Sequence, residues 1–404
     1  MTKANKEGQR KTPILRFKGF TDAWEQRQLR EISSSTIGGG TPKSSNKKFW
    51  NGNIPWIQSS DLVNGDIWNI TIKKHITLDA VENSAAKIIS ANSIAVVTRV
   101  AVGKLVYMPL EYATSQDFIS FQNLSGDHSF FMYLVSKVMH KVKGSLQGTS
   151  IKGISKGELL KKKVIYTLNI KEQKKIGTLL KSLDTILTLY ERKIKLFDNM
   201  IAYLKQQLFY KQSSLSFPQS HWKDIAFSKL YIKRKDKNID ASYDQSKTIS
   251  VANMKYSDRE LNSSREYLKT YYITHFGDII YEGNRSGNFK YGRFVQNNIG
   301  DGIVSHVFTV YKPINDLDIN FMNNFINYEP IMSRVLLYAT TDTLMMHTLH
   351  DNELMKQKLS LPDKETQIKI GKILSLVSTI KNRFSERKEL LIKIKNTLLN
   401  TMFI

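Results

Sequence analysis

From Gln173 to Phe209 apolar residues recur at alternating steps of four and three: Ile176, Leu180, Leu183, Leu187, Tyr190, Ile194, Phe197, Ile201, Leu204 and Leu208. That spacing lines one side of a helix and defines a heptad seam. No Pro, and no Gly after Gly177, interrupts the stretch, so it predicts a single helix of ~55 Å at 1.5 Å rise per residue. The segment then returns. Gln367 to Phe403 repeats it without gaps at a constant offset of 194 residues, with Gln173, Lys175, Ile176, Gly177, Leu180, Leu196, Leu204 and Phe209 reappearing as Gln367, Lys369, Ile370, Gly371, Leu374, Leu390, Leu398 and Phe403. The second copy carries its seam through Ile373, Val377, Ile380, Phe384, Leu391, Ile394 and Leu398, with Arg387 at one seam position. Neither helix hides such a stripe alone, so the two are expected to pack on each other. The module between them has to fold back, which makes the pair antiparallel.

Before each copy the pattern shortens. Runs at Ser93 to Val97, Lys104 to Met108, Phe118 to Phe121, Asp278 to Tyr281, Gly292 to Gln296 and Val307 to Tyr311 are broken by Gly, Asn and Asp and read as strands. Helices are expected near 129–142 and 319–337. Module 1 therefore runs from about Trp24 to Leu168 and module 2 from about Trp222 to Pro362, with the Ser-rich stretch Ser213 to Gln219 as linker. Two weaker echoes join the modules. Ile57-Gln58-Ser59-Ser60 lies opposite Val251-Ala252-Asn253-Met254 at the helix offset, and Ser115-Gln116-Asp117-Phe118 resembles Ser305-His306-Val307-Phe308 at an offset of 190. Twice 194 is nearly the whole chain of 404 residues. The domain expectation is 1–170 for an N-terminal segment and module 1, 171–212 for the first helix, 213–363 for module 2 and 364–404 for the second helix.

Composition narrows the partners. Sixty Lys and Arg against 36 Asp and Glu leave a formal charge of +24, which suits nucleic acid, an anionic membrane surface or an acidic protein. The charges are scattered through the modules, and Lys161-Lys162-Lys163 is the longest pure basic run, so the basic surface belongs to folded parts. With no cysteine there is neither disulfide nor thiolate metal site. No apolar run approaches transmembrane length and no signal-peptide core follows the first residues, so a soluble cytoplasmic protein without membrane contact is expected.

Catalytic signatures are near misses. Gly38-Gly39-Gly40-Thr41-Pro42-Lys43-Ser44 approaches a phosphate loop, but Pro42 takes the place of the second Gly and removes an amide donor. An Asn/Asp-Pro-Pro-aromatic loop for amine methylation does not occur, since Asn327-Tyr328-Glu329-Pro330 has the wrong order. Pro362-Asp363 with Glu386-Arg387-Lys388 meets a loose nuclease spacing, yet Glu386 falls in mid-helix on a charged face. His347 and His350 lack a third ligand and read as structural. No metal site and no cofactor bound by this chain is expected; the chain reads as a binder. Its candidate contacts combine charge, hydrogen-bonding forks and flexible backbone. In module 1 these are Lys43, Lys47, Lys48, Ser59, Ser60, Arg99, Lys104 and Gln116; in module 2 they are Arg234, Lys235, Asn253, Arg285, Asn288, Lys290, Arg293 and His306.

These residues resemble one family, the DNA specificity subunit of type I restriction-modification systems. The resemblance rests on Pro13-x-Leu15-Arg16-Phe17-x-Gly19-Phe20-x3-Trp24, then Gly39-Gly40-Thr41-Pro42-Lys43, Ile54-Pro55-Trp56-Ile57 and Ser60-Asp61-Leu62, and on the Gln-x-Lys-Ile-Gly start of each repeated helix, in that order along nearly the whole chain. It implies an α+β fold of two globular target recognition domains in pseudo-twofold repeat, separated by two long antiparallel coiled-coil helices. It also implies double-stranded DNA as ligand, read as a split asymmetric site, and two methyltransferase subunits using S-adenosylmethionine. ATP- and Mg-dependent restriction subunits would join through them, and an acidic DNA-mimic protein would target the same basic surface. Module 2 departs from the pattern, with Lys233-Arg234-Lys235-Asp236-Lys237 and Thr248-Ile249-Ser250 where the Gly-Gly-Thr-Pro-Lys and Ile-Pro-Trp motifs would stand. Two other classes compete. A scaffold for an acidic protein would share the charge and heptads without needing two diverged modules, and a free-standing transcriptional DNA binder would carry a short recognition-helix motif, which does not stand out.

Overall fold

The computed structural model describes residues 12–146, 153–210, 221–257, 264–284, 287–343 and 346–404. The linker expected at Ser213 to Gln219 lies outside them. The chain divides into two compact units, one of Met1–Glu191 with Arg387–Ile404 and one of Arg192–Glu386.

In the first unit, four antiparallel strands lie in the order Ser33–Gly38, Phe118–Leu124, Ser93–Val97, Leu105–Met108. Ser93–Val97 is buried on both faces. Because side chains alternate along a strand, Ile94 and Val96 enter a core with Trp24, Phe121 and Phe130, while Ala95 and Val97 enter another with Ile57, Tyr112 and Phe118. A second sheet joins Lys74–Ile76, Trp50–Ile57 and Ala113–Thr114, the last pairing being parallel. Helix His128–Leu146 packs on the larger core through Phe130, Phe131, Leu134 and Val135. A two-stranded ribbon, Glu25–Gln28 with Lys163–Tyr166, leads into the long helix Ile170–Leu208.

The second unit repeats that plan. Its four-stranded sheet runs Tyr231–Lys233, Thr309–Pro313, Ile279–Glu282, Arg293–Gln296. Ile279 and Tyr281 face one core and Ile280 another. Its ribbon, Trp222–Ala226 with Lys358–Pro362, leads into the helix Lys364–Met402. The helix expected over 319–337 is two, Ile319–Phe325 and Glu329–Ala339. Pro330 explains the break, since it lacks an N–H and is tolerated only in a first turn.

Each long helix starts in the same joint. Gln173 Nε2 donates to the Thr167 carbonyl (2.7 Å) and its Oε1 accepts from the Asp127 amide (2.8 Å); Gln367 does likewise with Pro362 O (2.9 Å) and Asp318 N (3.1 Å). A Cβ on Gly177 would lie 2.7 Å from Phe130 N, and one on Gly371 2.7 Å from Phe321 N. Only glycine lets the helix approach that closely. The opening motif of the chain serves the same joint: Arg16 forks onto buried Glu172 at 2.5 and 2.9 Å, and Lys175 sits over the rings of Phe17 and Phe20.

The helix pairing is antiparallel within each unit. Asp184 pairs with Lys395, and Glu191 with Lys388 at 2.9 Å, in the first unit; Asp198 pairs with Lys381 at 2.9 Å in the second. Both partners step by seven residues in opposite directions. Ile176 and Leu180 are buried, and Leu183, Leu187, Tyr190, Phe197 and Leu204 half-buried, with Phe197 stacked on Phe384 at 5.6 Å. The second seam differs from the expected phase. Ile373 and Ile394 are exposed at 37% and 41%, and Arg387 also faces solvent. Leu374, Val377, Lys381, Phe384, Lys388, Leu391, Lys395 and Leu398 line the inner side. Lysines belong there because each meets a carboxylate of the opposing helix. The far ends close the modules: Phe403 lies 5.0 Å from Phe130 and 6.3 Å from Trp24, and Phe209 lies 5.2 Å from Phe325 and Tyr328.

Candidate nucleic-acid interface

In module 1, four backbone hydrogen bonds gather the loops that carry the candidate residues. Gly40 N donates to Thr114 O (2.9 Å), Ser115 N to Ile57 O (2.9 Å), Thr98 N to Asp117 O (2.8 Å) and Ile154 N to Thr98 O (2.9 Å). The Gly39–Lys43 loop, the Ser59–Asp61 turn, the Gln116 turn and the Arg99 turn therefore form one cluster. The glycines are forced: a Cβ on Gly39 would fall 2.0 Å from Thr114 Oγ1, and one on Gly40 1.9 Å from Ala85 O. Trp56 Nε1 then holds Gly40 O (3.1 Å) and Trp50 Nε1 holds Lys43 O (3.3 Å). Lys43, Lys47, Lys48, Ser60, Arg99 and Gln116 are exposed and Ser59 half-exposed. Lys104 is spent inside the module, its Nζ donating to Leu62 O (2.7 Å) and Ser59 O (3.2 Å), which fixes the serine turn. Asp61 buries its carboxylate under that turn and accepts from Gln58 N at 3.0 Å. Its signal was the Ser60-Asp61-Leu62 motif. Lys74, not singled out from sequence, lies 5.6 and 5.5 Å over Trp50 and Trp56.

Module 2 builds its cluster from other parts. The Thr248–Ile303 bridge is parallel, and Phe308 N closes on Ser305 O as Phe118 N does on Ser115 O, so the weaker sequence echo is a shared turn. His306 projects from that turn, exposed, with its ring edge-on to Tyr267 at 5.9 Å. Asn253, Asn288, Lys290 and Lys235 are exposed. Arg293 Nη2 reaches Ala252 O at 3.4 Å and joins the Asn253 turn to the strand that carries it. Its charge is met by Glu282 at 2.7 Å. Arg234 is likewise committed, forked on Asp278 and paired with Asp236 at 2.8 Å. Burial works against its charge, and the Asp278 carboxylate more than restores it. Arg285 lies outside the described residues. His350 Nε2 meets Thr341 Oγ1 at 2.8 Å and His347 Nδ1 lies 3.5 Å from Asp342. Among the described residues no group of three or more His, Asp or Glu is placed to hold a metal ion.

A third cluster ties module 1 to its helix. Asp184 Oδ2 accepts from Tyr133 OH (2.6 Å) and Trp68 Nε1 (3.1 Å), and Lys181 lies 4.4 Å over the Trp68 ring. Burial first, then the Asp184 charge, pushes the Tyr133 phenol up, so it stays a donor.

Residues 21–196 match the family described as Type I restriction modification DNA specificity domain. The chain is 28% identical over 167 residues to the type I restriction enzyme MjaIX specificity subunit of Methanocaldococcus jannaschii, covering 41% of this chain and 38% of that relative. It is 30% identical over 222 residues to the type I restriction enzyme EcoR124I/EcoR124II specificity subunit of Escherichia coli, covering 51% of each. The chain thus spans 38% and 51% of the length of those curated relatives. The fold is shared along the whole chain with the type I restriction-modification S subunit from M. genitalium, at a TM-score of 0.63 and 17% identity over 97% of this chain and 99% of that one. A chain from a structure on complex assembly and conformational transition of the type I R-M system matches at 0.55 and 12% identity, over 93% and 96%.

Proposed function

We propose, on the premise that residues 21–196 belong to the type I restriction modification DNA specificity domain family and that the chain is a type I specificity subunit, as relatives and shared fold indicate, that it reads a split, asymmetric DNA site. Residues 1–170 and 213–363 hold the two readers, and 171–212 and 364–404 the spacer. The observation that carries this reading is a joint built twice from the same residues beneath two loop clusters built from different ones. Lys43, Arg99 and Gln116 in module 1 and Asn253, Asn288, Lys290 and His306 in module 2 are the groups that meet phosphates and base edges. Lys104 and Arg234 shape their loops. The chain performs no catalysis. Two methyltransferase subunits using S-adenosylmethionine, and ATP- and Mg-dependent restriction subunits, supply the chemistry.

Docking of paired partners has support in the exposed apolar residues of the helices. Leu196 and its repeat Leu390 are 59% and 58% exposed, Met200 and its repeat Ile394 40% and 41%, so each unit offers the same apolar positions. None of the described helices is long and apolar enough to cross a membrane.

The test is to co-express the chain with its modification subunit and map adenine methylation by direct sequencing. A split motif with a fixed gap is expected, lost in one half when Arg99→Ala is introduced and in the other with Asn288→Ala. Methylation unchanged without this chain would overturn the reading. Binding of the assembled complex to its site should fall steeply with salt, because each neutralised phosphate releases counterions; an affinity flat with salt would exclude DNA.

A further inference from the structure

Where each module receives the far end of a long helix, the two units differ in space and charge. In the second unit the place is a smaller hollow of about 490 Å³, lined by Tyr210, Trp222, Arg334 and Lys358 together with Asp224. In the first unit it is an open groove of about 1300 Å³. Val138 and Ile165, half-buried, and Ile14, 69% exposed, give it apolar surface over the buried Val142, Val164 and Phe403. Lys137, Lys141, Lys162 and Lys163 ring it, and none of the described residues that line it is acidic. Lys137 is half-buried, with its Nζ on Phe403 O at 2.8 Å and Leu399 O at 3.5 Å. Burial, and after it the charge of Lys141, hold its ammonium down to about 8.

We propose that this groove is a docking site for an acidic amphipathic segment of a partner protein, taken up once per chain. The lysine ring supplies charge complementarity for carboxylates, and the floor supplies apolar area for the segment's other face. A DNA backbone would satisfy the lysines and leave Ile14, Val138 and Ile165 wet, which argues against nucleic acid here. Residues 1–11 carry Lys3, Lys6, Arg10 and Lys11 against Glu7 alone, so they lack the acidic character that the groove selects. The counterpart in the second unit is smaller, and Asp224 lines it beside its cations, so it lacks the uncompensated lysine ring. The site therefore breaks the chain's twofold repeat.

The probe is a fluorescein-labelled synthetic helix of Glu and Leu in heptad order, titrated into the full chain at physiological ionic strength by anisotropy and calorimetry. One peptide per chain is expected. Lys141→Glu with Lys163→Glu should weaken it roughly tenfold or more, Ile14→Asp, at an exposed position that leaves folding intact, should weaken it too, and Lys358→Glu should leave it unchanged. A control peptide with every Leu replaced by Ser should not saturate. Equal binding of that control, a stoichiometry other than one, or indifference to both Lys141→Glu with Lys163→Glu and Ile14→Asp would overturn the proposal. So would displacement of the peptide by a short DNA duplex whose own binding those lysine changes abolish, or a large gain in affinity on deleting residues 2–11, which would make the chain's own start the occupant. The methylation map is read separately, so loss of the DNA reading and loss of this one are distinguishable.

Discussion

At the root of each module the same atoms do the same work, and at the loops almost nothing matches. Gln173 and Gln367 each bridge a carbonyl at the end of the ribbon to the amide of an aspartate that opens a module helix, Asp127 or Asp318. The loop clusters share one turn, Ser115 to Phe118 and Ser305 to Phe308. Module 1 builds the rest on Gly39, Gly40 and two tryptophans; module 2 uses Arg293, Asn253 and the Tyr267–His306 edge. A joint that carries a reader on a spacer tolerates little variation, because a shift at the root moves every contact at the tip. The loops are where two different half-sites would demand different side chains.

The units also differ in how firmly the helix holds its module, and this contrast predicts the largest effect. Asp184 takes Tyr133, Trp68 and Lys395 at once, with only 15% of its side chain exposed, whereas Asp198 meets Lys381 with 55% exposed. Asp184→Ala strands a lysine that is 16% exposed and takes the acceptor from the Tyr133 hydroxyl, while Trp68 Nε1 keeps its bond to Tyr133 OH at 3.2 Å, so it should cost roughly 2–3 kcal/mol, somewhat under the full penalty for breaking a buried pair. Asp198→Ala should cost about 0–1 kcal/mol. Urea unfolding of the two variants decides it, and equal losses would remove the asymmetry.

The joint itself predicts the next effect, equal in both units. Gly177→Ala and Gly371→Ala each drive a methyl into a backbone amide at 2.7 Å, and overpacking of this kind costs about 1–3 kcal/mol. Gly144→Ala is the control: it lies in helix His128–Leu146 with open space around it, and should stabilise by roughly 0.5–1 kcal/mol. Thermal unfolding reads the sign directly.

The sequence displays such joints well and internal charge pairing poorly. Gly177, Gln173 and Phe209 are visible because they recur at one offset, and recurrence reports that something is fixed. The helix pair was legible from its heptads, but the phase of the second seam was not. Lys381, Lys388 and Lys395 count as polar in any hydrophobic pattern, and only their partners Asp198, Glu191 and Asp184 on the other helix place them inside. The same blindness affects the candidate interface. Lys104, Arg234 and Arg293 look like free cations along the chain, yet each is held by its own module. The break at Pro330 was written in the sequence, and the apolar run on either side hid it.

The smallest effect lies in the caps of the two long helices. Asn169 Oδ1 accepts from Lys171 N (3.0 Å) and Glu172 N (3.3 Å), while Asp363 accepts from Thr366 N (2.9 Å) and His221 N (2.8 Å). The His221 and Thr366 amides hold the Asp363 carboxyl below its ordinary value. A depressed folded value means that the cap stabilises above the ordinary carboxylate range and loses that contribution as pH falls through it. Asp363→Ala should cost about 1 kcal/mol at neutral pH, and Asp363→Asn less. The protection factor of the Thr366 amide should fall on acidification in the native chain more than in Asp363→Asn, while the Glu172 amide under Asn169 should show no such step attributable to its cap. If both helix starts loosen together, and Asp363→Asn behaves as the native chain does, then acid acts elsewhere in the module and the two caps are equivalent.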